Sequence, residues 1–243
     1  MRARSSLLRK TRFLIHLKIT PAGADHNHSM RKTFGIVLIA LLLVGASPFP
    51  DEDEPFGVAP IEAPGDKDIS TIWRGLQRDM QEDERTVIKC RADPACGSPA
   101  ALRFIAIVDE MRQYQGRALL GHINRAVNLA IPSTRQGAPW QSPLEALASH
   151  GDCKSYAVTK YAILGAAGIA LNDRRLVMVW DNAHPLETHL VVVVRVERHW
   201  LILDNRTMSL VESTGKPSYQ PLHVLDHSGV RDFPPLAPVG GPL

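Results

Sequence analysis

The chain has 243 residues, 44% of them hydrophobic and 22% charged, with a formal net charge of +3 at pH 7. Residues 1–46 hold 8 of the 28 Lys+Arg and 1 of the 25 Asp+Glu, which leaves 20 basic and 24 acidic residues and a net of −4 for the rest. The basic balance therefore belongs to the N-terminal stretch, and neither a nucleic-acid partner nor a basic membrane-binding surface follows from it.

Met30-Arg-Lys precedes an apolar run of 13 residues, Phe34 to Ala46, followed by Ser47-Pro48. A basic n-region, a short h-region and a Val-Gly-Ala cleavage site read as a secretory leader. The run falls short of the roughly 20 residues a spanning helix needs; an uncleaved anchor is the alternative. Residues 1–46 are thus expected to be a leader, with translation starting at Met30 and the mature chain exported to the periplasm or beyond. The 197 residues that remain are enough for one domain with a sizeable core.

Residues 47–69 read as an acidic, proline-rich arm, extended and without a period. Residues 70–89 predict a helix, with Ile72, Leu76 and Met80 on one face. Cys90 and Cys96 flank a short proline-containing loop. In an oxidising compartment their spacing suits a small disulfide, which would leave Cys153 as the odd thiol; three unpaired cysteines are the other reading. A helix follows from near Ser98, with Pro99 in its first turn, and a second runs from Gly116 to about Ala130. Ser142-Pro143 opens a short helix ending by Ser149. Gly151-Asp152 breaks the chain again, and Asp152 is expected to cap the next helix. Three strands follow: Arg175 to Trp180, the valine-rich His189 to Val196, and Trp200 to Asp204. The valine run predicts a central strand buried on both faces. Residues 215–243 read as a Pro/Gly-rich tail with room for at most one strand, which places the domain at 70–214.

Cys153 carries the chemistry. It opens a helix, where unpaired N–H groups and the helix dipole favour a thiolate. A hairpin turn at about Val196-Glu197 would put His189 across from Asp204 or its near neighbour, close enough for an imidazole–carboxylate bond. Cysteine, histidine and aspartate so placed suit nucleophilic acyl chemistry. The bland readings are a buried inert thiol, a strand-end histidine and an Asp-Asn turn. His150 and His184 are rival bases, but His150 would have to fold back and His184 sits in a loop. The oxyanion of such a reaction would take the Cys153 backbone N–H and, as a candidate, the Trp140 indole.

The runs Trp140-Gln-Ser-Pro-Leu-Glu-Ala146, Gly151-Asp-Cys-Lys-Ser-Tyr-Ala-Val-Thr-Lys-Tyr161, His189-Leu-Val-Val192 and Leu201-Ile-Leu-Asp-Asn205 resemble the bacterial transglutaminase-like cysteine proteinases. Asn124-Arg-Ala-Val-Asn128 and the two-cysteine loop fit the same pattern, and the resemblance spans roughly 70–212. It implies an α+β fold with a papain-like, transglutaminase core, the nucleophile helix packed on an antiparallel sheet. It also implies a Cys153-His189-Asp204 triad and a periplasmic protein substrate. A well-known branch of that family trims a surface adhesin, depends on calcium and answers to a membrane-bound cyclic-di-GMP receptor, so the resemblance also raises a membrane-bound regulatory partner. Members that use calcium carry Asp-Cys-Glu-Asp at the nucleophile. Here Lys154 and Ser155 replace the two carboxylates, and calcium wants charged oxygen ligands. No metal or other cofactor is therefore expected.

The function expected from these residues is hydrolysis of a peptide bond in a protein, such as a cell-surface protein. A transamidase or acyltransferase on the same fold, and a binding module with a retained but inactive site, are the alternatives.

Overall fold

A computed structural model describes residues 54–93, 95–134, 137–184 and 187–235, all within the unit Ser47–Leu243. The leader, the start at Met30 and residues 47–53 of the arm lie outside the described residues. Five helices precede an antiparallel sheet of six strands.

α1 (Lys67–Ala92) begins where Asp66 accepts from the backbone N–H groups of Asp68 and Ile69, both at 2.9 Å. A disulfide joins Cys90, at its far end, to Cys96, with the Cα atoms 4.9 Å apart. It ties α1 to α2 (Pro99–Met111), which Ser98 caps. α3 (Gly116–Ala130) follows after one short break. α4 (Pro143–Ala148) has a proline in its first turn, and Ser142 and Glu145 satisfy each other's backbone N–H groups in a capping box. α5 (Cys153–Ala166) lies among α2, α3 and α4 on one side and the sheet on the other. Ten of its residues are buried, so it is enclosed nearly all round and carries no single-face stripe.

The strands are β1 (Arg174–Asp181), β2 (Thr188–Val196), β3 (His199–Leu203), β4 (Val211–Glu212), β5 (Tyr219–Asp226) and β6 (Gly229–Asp232), in the order β4-β3-β2-β1-β5-β6. β2 is interior, as the valine run predicts. Leu190, Val192 and Val194 enter the core shared with the helices. Val191 and Val193 enter a second cluster on the opposite face, with Trp200, Ile202, Tyr219 and Phe233.

Three expectations are corrected. First, the C-terminal segment is no tail. It supplies two strands, and β5 lies beside β1 in the middle of the sheet. Pro221 masks β5 in the sequence because proline is rare inside strands; here it sits at a register shift in the β1–β5 ladder. Second, the segment from residue 54 to 66 is bound to the sheet. The Ile61 and Gly65 N–H groups donate to the Asp232 and Val230 carbonyls at 2.8 and 3.0 Å, Glu54 pairs with Arg175, and Phe56 and Val58 cover the second cluster. The domain thus extends on both sides of 70–214. Third, Glu197 and Arg198 make the β2–β3 turn. Their φ values of 53° and 71° suit a two-residue primed turn. The ladder pairs Val196 with His199 and Val192 with Leu203, so His189 stands diagonal to Asp204 rather than opposite it.

Candidate active site

The turn before α5 is clamped from both sides. Gly151 donates its N–H to the Pro132 carbonyl at 2.9 Å and accepts from the Thr134 N–H at 3.0 Å. The Tyr156 hydroxyl donates to the Ile131 carbonyl at 2.7 Å. A side chain at Gly151 is excluded, because a Cβ there would lie 2.2 Å from the Cβ of Ser155. Ser155 is itself held, donating to Gln141 Oε1 at 2.6 Å.

Asp152 caps the helix, its Oδ1 accepting from the Lys154 N–H at 3.0 Å. Its other oxygen pairs with the Lys154 ammonium. Lys154, partly buried, thus has its charge paired with the buried Asp152 carboxylate. Cys153 is the first helical residue, 7% exposed, with a free thiol.

His189, near the start of β2, is 1% exposed. Its Nε2 and Asp204 Oδ1 are 2.9 Å apart. Its Nδ1 is buried and has no hydrogen-bond partner, and Cys153 is the other side chain acting on the ring. Burial works against the imidazolium, but the hydrogen bond to Asp204, the thiol, and the negative charge of both groups outweigh it and raise the histidine above its usual value.

Asp204 is buried and fully engaged. Oδ1 also accepts from the Arg206 N–H at 2.9 Å, and Oδ2 accepts from the Tyr219 hydroxyl at 2.6 Å. Its backbone carbonyl accepts from Asn128 Nδ2 at 3.0 Å. Burial would raise its carboxyl, yet the His189 hydrogen bond and charge, the Arg206 N–H and the Tyr219 hydroxyl carry it well below the usual carboxylate range. Tyr219 pays the converse: burial and the Asp204 carboxylate push its phenol up. Its ring meets that of His189 edge-on, with centroids 5.8 Å apart.

A second carboxylate steadies this end of the sheet. Asp181 closes β1, and its Oδ2 accepts from Arg206 Nη1 at 2.7 Å and lies 2.7 Å from His184 Nδ1. Burial is again outweighed, by the hydrogen bonds and charges of its partners, and Asp181 titrates low. His184 is thereby committed to Asp181 and largely exposed, while His150 is exposed. Trp140 is half-buried and packs against the helical core.

The structure thus brings together Cys153, His189 and Asp204. Sequence reasoning missed Tyr219, which lies in the segment read as a tail, and gave no role to Gln141 and Asn128, which it met only as members of the Trp140 and Asn124 runs. It also missed Lys160, buried in α5 without a partner.

The model of the family described as bacterial transglutaminase-like cysteine proteinase matches residues 101–224, half of the chain, with all three of these residues inside it. The chain belongs to this family of cysteine proteinases. Membership makes a protein the class of substrate. Among solved structures, Legionella pneumophila LapG is similar over 62% of this chain and 87% of its own, with 19% identity and a TM-score of 0.51. Its calcium-bound form gives 20% identity and a TM-score of 0.50 over the same shares. At that identity the likeness speaks for the α+β fold of a transglutaminase-like proteinase core. No curated protein matches the chain. Among the described residues, no helix is long and apolar enough to cross a membrane.

The residues at the start of α5 do not fit calcium. The Asp152 carboxylate already pairs with an ammonium, and the Ser155 hydroxyl is committed to Gln141. A cation needing six to eight oxygens would find one neutralised carboxylate there. Among the described residues no group of three or more His, Cys, Asp or Glu could hold a metal ion.

Proposed function

We propose that the protein is an exported thiol protease that hydrolyses a peptide bond of a protein substrate through Cys153, His189 and Asp204. The observation that supports this most is the division of the imidazole: Nε2 is spent on Asp204 while Nδ1 stays buried and unpaired, with the only free thiol beside the ring. Nδ1 takes the Sγ proton. The thiolate attacks the scissile carbonyl carbon, and the carbonyl electrons move to oxygen. The Cys153 N–H, at the helix start, and the Trp140 indole are the proposed donors to that oxyanion. His189 then gives its proton to the leaving amine, and the C–N bond breaks to leave a thioester. Water, deprotonated by His189, attacks the thioester and returns the thiol. Asp204 keeps the ring oriented and offsets its charge through the cycle. Export is supported by the leader motif before Ser47 and by the Cys90–Cys96 disulfide, which suits an oxidising compartment.

Mass spectrometry of a cleaved surface-protein substrate tests the reaction class. Two fragments that together gain one water support hydrolysis. Products carrying an added amine would assign the site to transamidation.

A further inference from the structure

The Asn124-Arg-Ala-Val-Asn128 run stands out in the sequence, yet the chemistry above leaves it without a role. Its two asparagines are four residues apart on α3 and so lie on one face of the helix. Asn124 is 0% exposed, among the buried Leu120, Ile123 and Val127 of the same helix, and Asn128 is half-buried. Asparagine is a poorer helix former than leucine, and an amide in an apolar core costs free energy unless its polar atoms are bonded. Both amide oxygens are buried and have no hydrogen-bond partner. Two such residues work against the stability of α3, a local conflict of the kind functional sites carry.

What the amides hold is the chain around Asp204. Asp204 stands one residue beyond the end of β3 and beyond the last β2–β3 pair, Val192 with Leu203, so the ladder no longer fixes its main chain. Asn128 Nδ2 donates to the Asp204 carbonyl at 3.0 Å and to the Thr207 carbonyl at 3.3 Å, and Asn124 Nδ2 donates to the same Thr207 carbonyl at 2.9 Å. Both ends of the turn from 204 to 207 are therefore tied to α3. With carbonyl oxygens as the partners, the nitrogen of each amide must face the turn. Within the turn the Arg206 N–H meets Asp204 Oδ1, the oxygen that bonds His189 Nε2. His189 is a diagonal neighbour rather than an opposite one, so the reach of this carboxylate depends on where the main chain at 204 is set.

We propose that Asn124 and Asn128 are positioning residues of the site, whose side-chain amides fix the turn after β3 and so hold the Asp204 carboxylate on His189. The proposal rests on the Cys153-His189-Asp204 reading. Both asparagines act through Asp204 and neither takes part in proton transfer. Without the Asn128 amide, the Asp204 carbonyl loses this donor and the turn loses one of its two anchors. The carboxylate then spends part of its time away from the ring, and the imidazolium is less stabilised.

The test follows the His189 ring by NMR in the full chain carrying Cys153→Ala, so that no thiol titration enters. A downfield Nε2–H resonance is expected from the bond to Asp204. Adding Asn128→Ala should abolish it or move it upfield, and the pH at which the ring titrates should fall by roughly half a unit or more. Asn124→Ala, which leaves Asn128 in place, should act the same way to a smaller degree. Ile123→Val trims the core side of the same helix and removes no amide, so it should leave both readings unchanged. An unaltered ring signal and titration in a folded Asn128→Ala protein overturns the proposal, as does an equal change in Ile123→Val. If the asparagine variants do not fold, hydrogen exchange in the Cys153→Ala protein decides. A ring N–H protected no better than the Asn128 side-chain N–H groups supports the proposal, since release of the amide releases the ring; a better protected ring overturns it. Alkylation of Cys153 in the otherwise unaltered protein, beside His189→Ala, judges the protease reading separately. A thiol indifferent to His189 removes that reading; a ring indifferent to Asn128 removes only the positioning role.

Discussion

An imidazole can serve a thiol and a carboxylate together only if one nitrogen stays available to each, and in His189 Nε2 meets Asp204 while Nδ1 is left unpaired. Asp204 in turn is fixed from three sides, by His189, the Arg206 N–H and the Tyr219 hydroxyl. Asp204→Asn keeps the shape but removes the charge that favours the imidazolium, and kcat/KM should fall roughly 10²–10⁴-fold. Tyr219→Phe leaves the carboxylate charged with one partner fewer, and the fall should be about tenfold or less. Both are read from peptide hydrolysis against wild type; equal activity in Asp204→Asn would remove Asp204 from the mechanism. The Asp152–Lys154 pair makes a third prediction. A calcium chelator should leave hydrolysis unchanged, and loss restored by calcium would contradict it. The places of Cys153, His189 and Asp204 were legible, because each sits where an element begins or ends, while their roles belong to the proposal. Tyr219 was not, because a phenol bonded to a carboxylate 15 residues earlier leaves no local pattern. Lys160 was hidden for a related reason: lysine is expected at the surface, and only packing shows that its side of α5 is buried.

At the scale of elements, the site is the meeting of one helix start with two strand ends. The helix start depends on Gly151, whose backbone is held by Pro132 and Thr134 and whose missing side chain admits Ser155. Gly151→Ala should cost about 1–3 kcal/mol, as overpacking does, measured by urea denaturation. It should also slow Cys153 alkylation, since the helix start must shift. Unaltered stability would mean the turn can relax. Both caps were legible: Asp152 and Ser142 are cap residues standing immediately before a helix. The hairpin was legible only approximately. Val196-Glu197 reads as a plausible turn, whereas the observed Glu197 and Arg198 both take positive φ, which sequence statistics reserve for Gly, Asn and Asp. That difference makes His189 a diagonal neighbour of Asp204, a separation their side chains still span.

For the whole molecule, function and stability share the sheet. β1 and β2 are central, β5 lies on the far side of β1 from β2, and the segment from residue 54 to 66 covers β6 and the outer apolar cluster. Ending the chain after residue 214 would strip a strand from the interior of the sheet and remove Tyr219. Circular dichroism of that truncation should show no cooperative unfolding, while ending after residue 235 should preserve it. A folded, cooperative shorter form would contradict the boundary drawn here. The α+β architecture was legible from element order, helices first and strands after. The extent of the domain was not, because proline and glycine at both ends look like linkers until their hydrogen bonds are traced. The central claim is that Cys153 is a nucleophile activated by His189, and its alkylation rate as a function of pH tests this most directly. The unreduced protein offers Cys153 as its one free thiol. A reactive species persisting well below the ordinary thiol value of about 8.5, and lost or shifted upward in His189→Ala, is the predicted result. Slow alkylation titrating near or above that value in both proteins would contradict it and make Cys153 a structural residue.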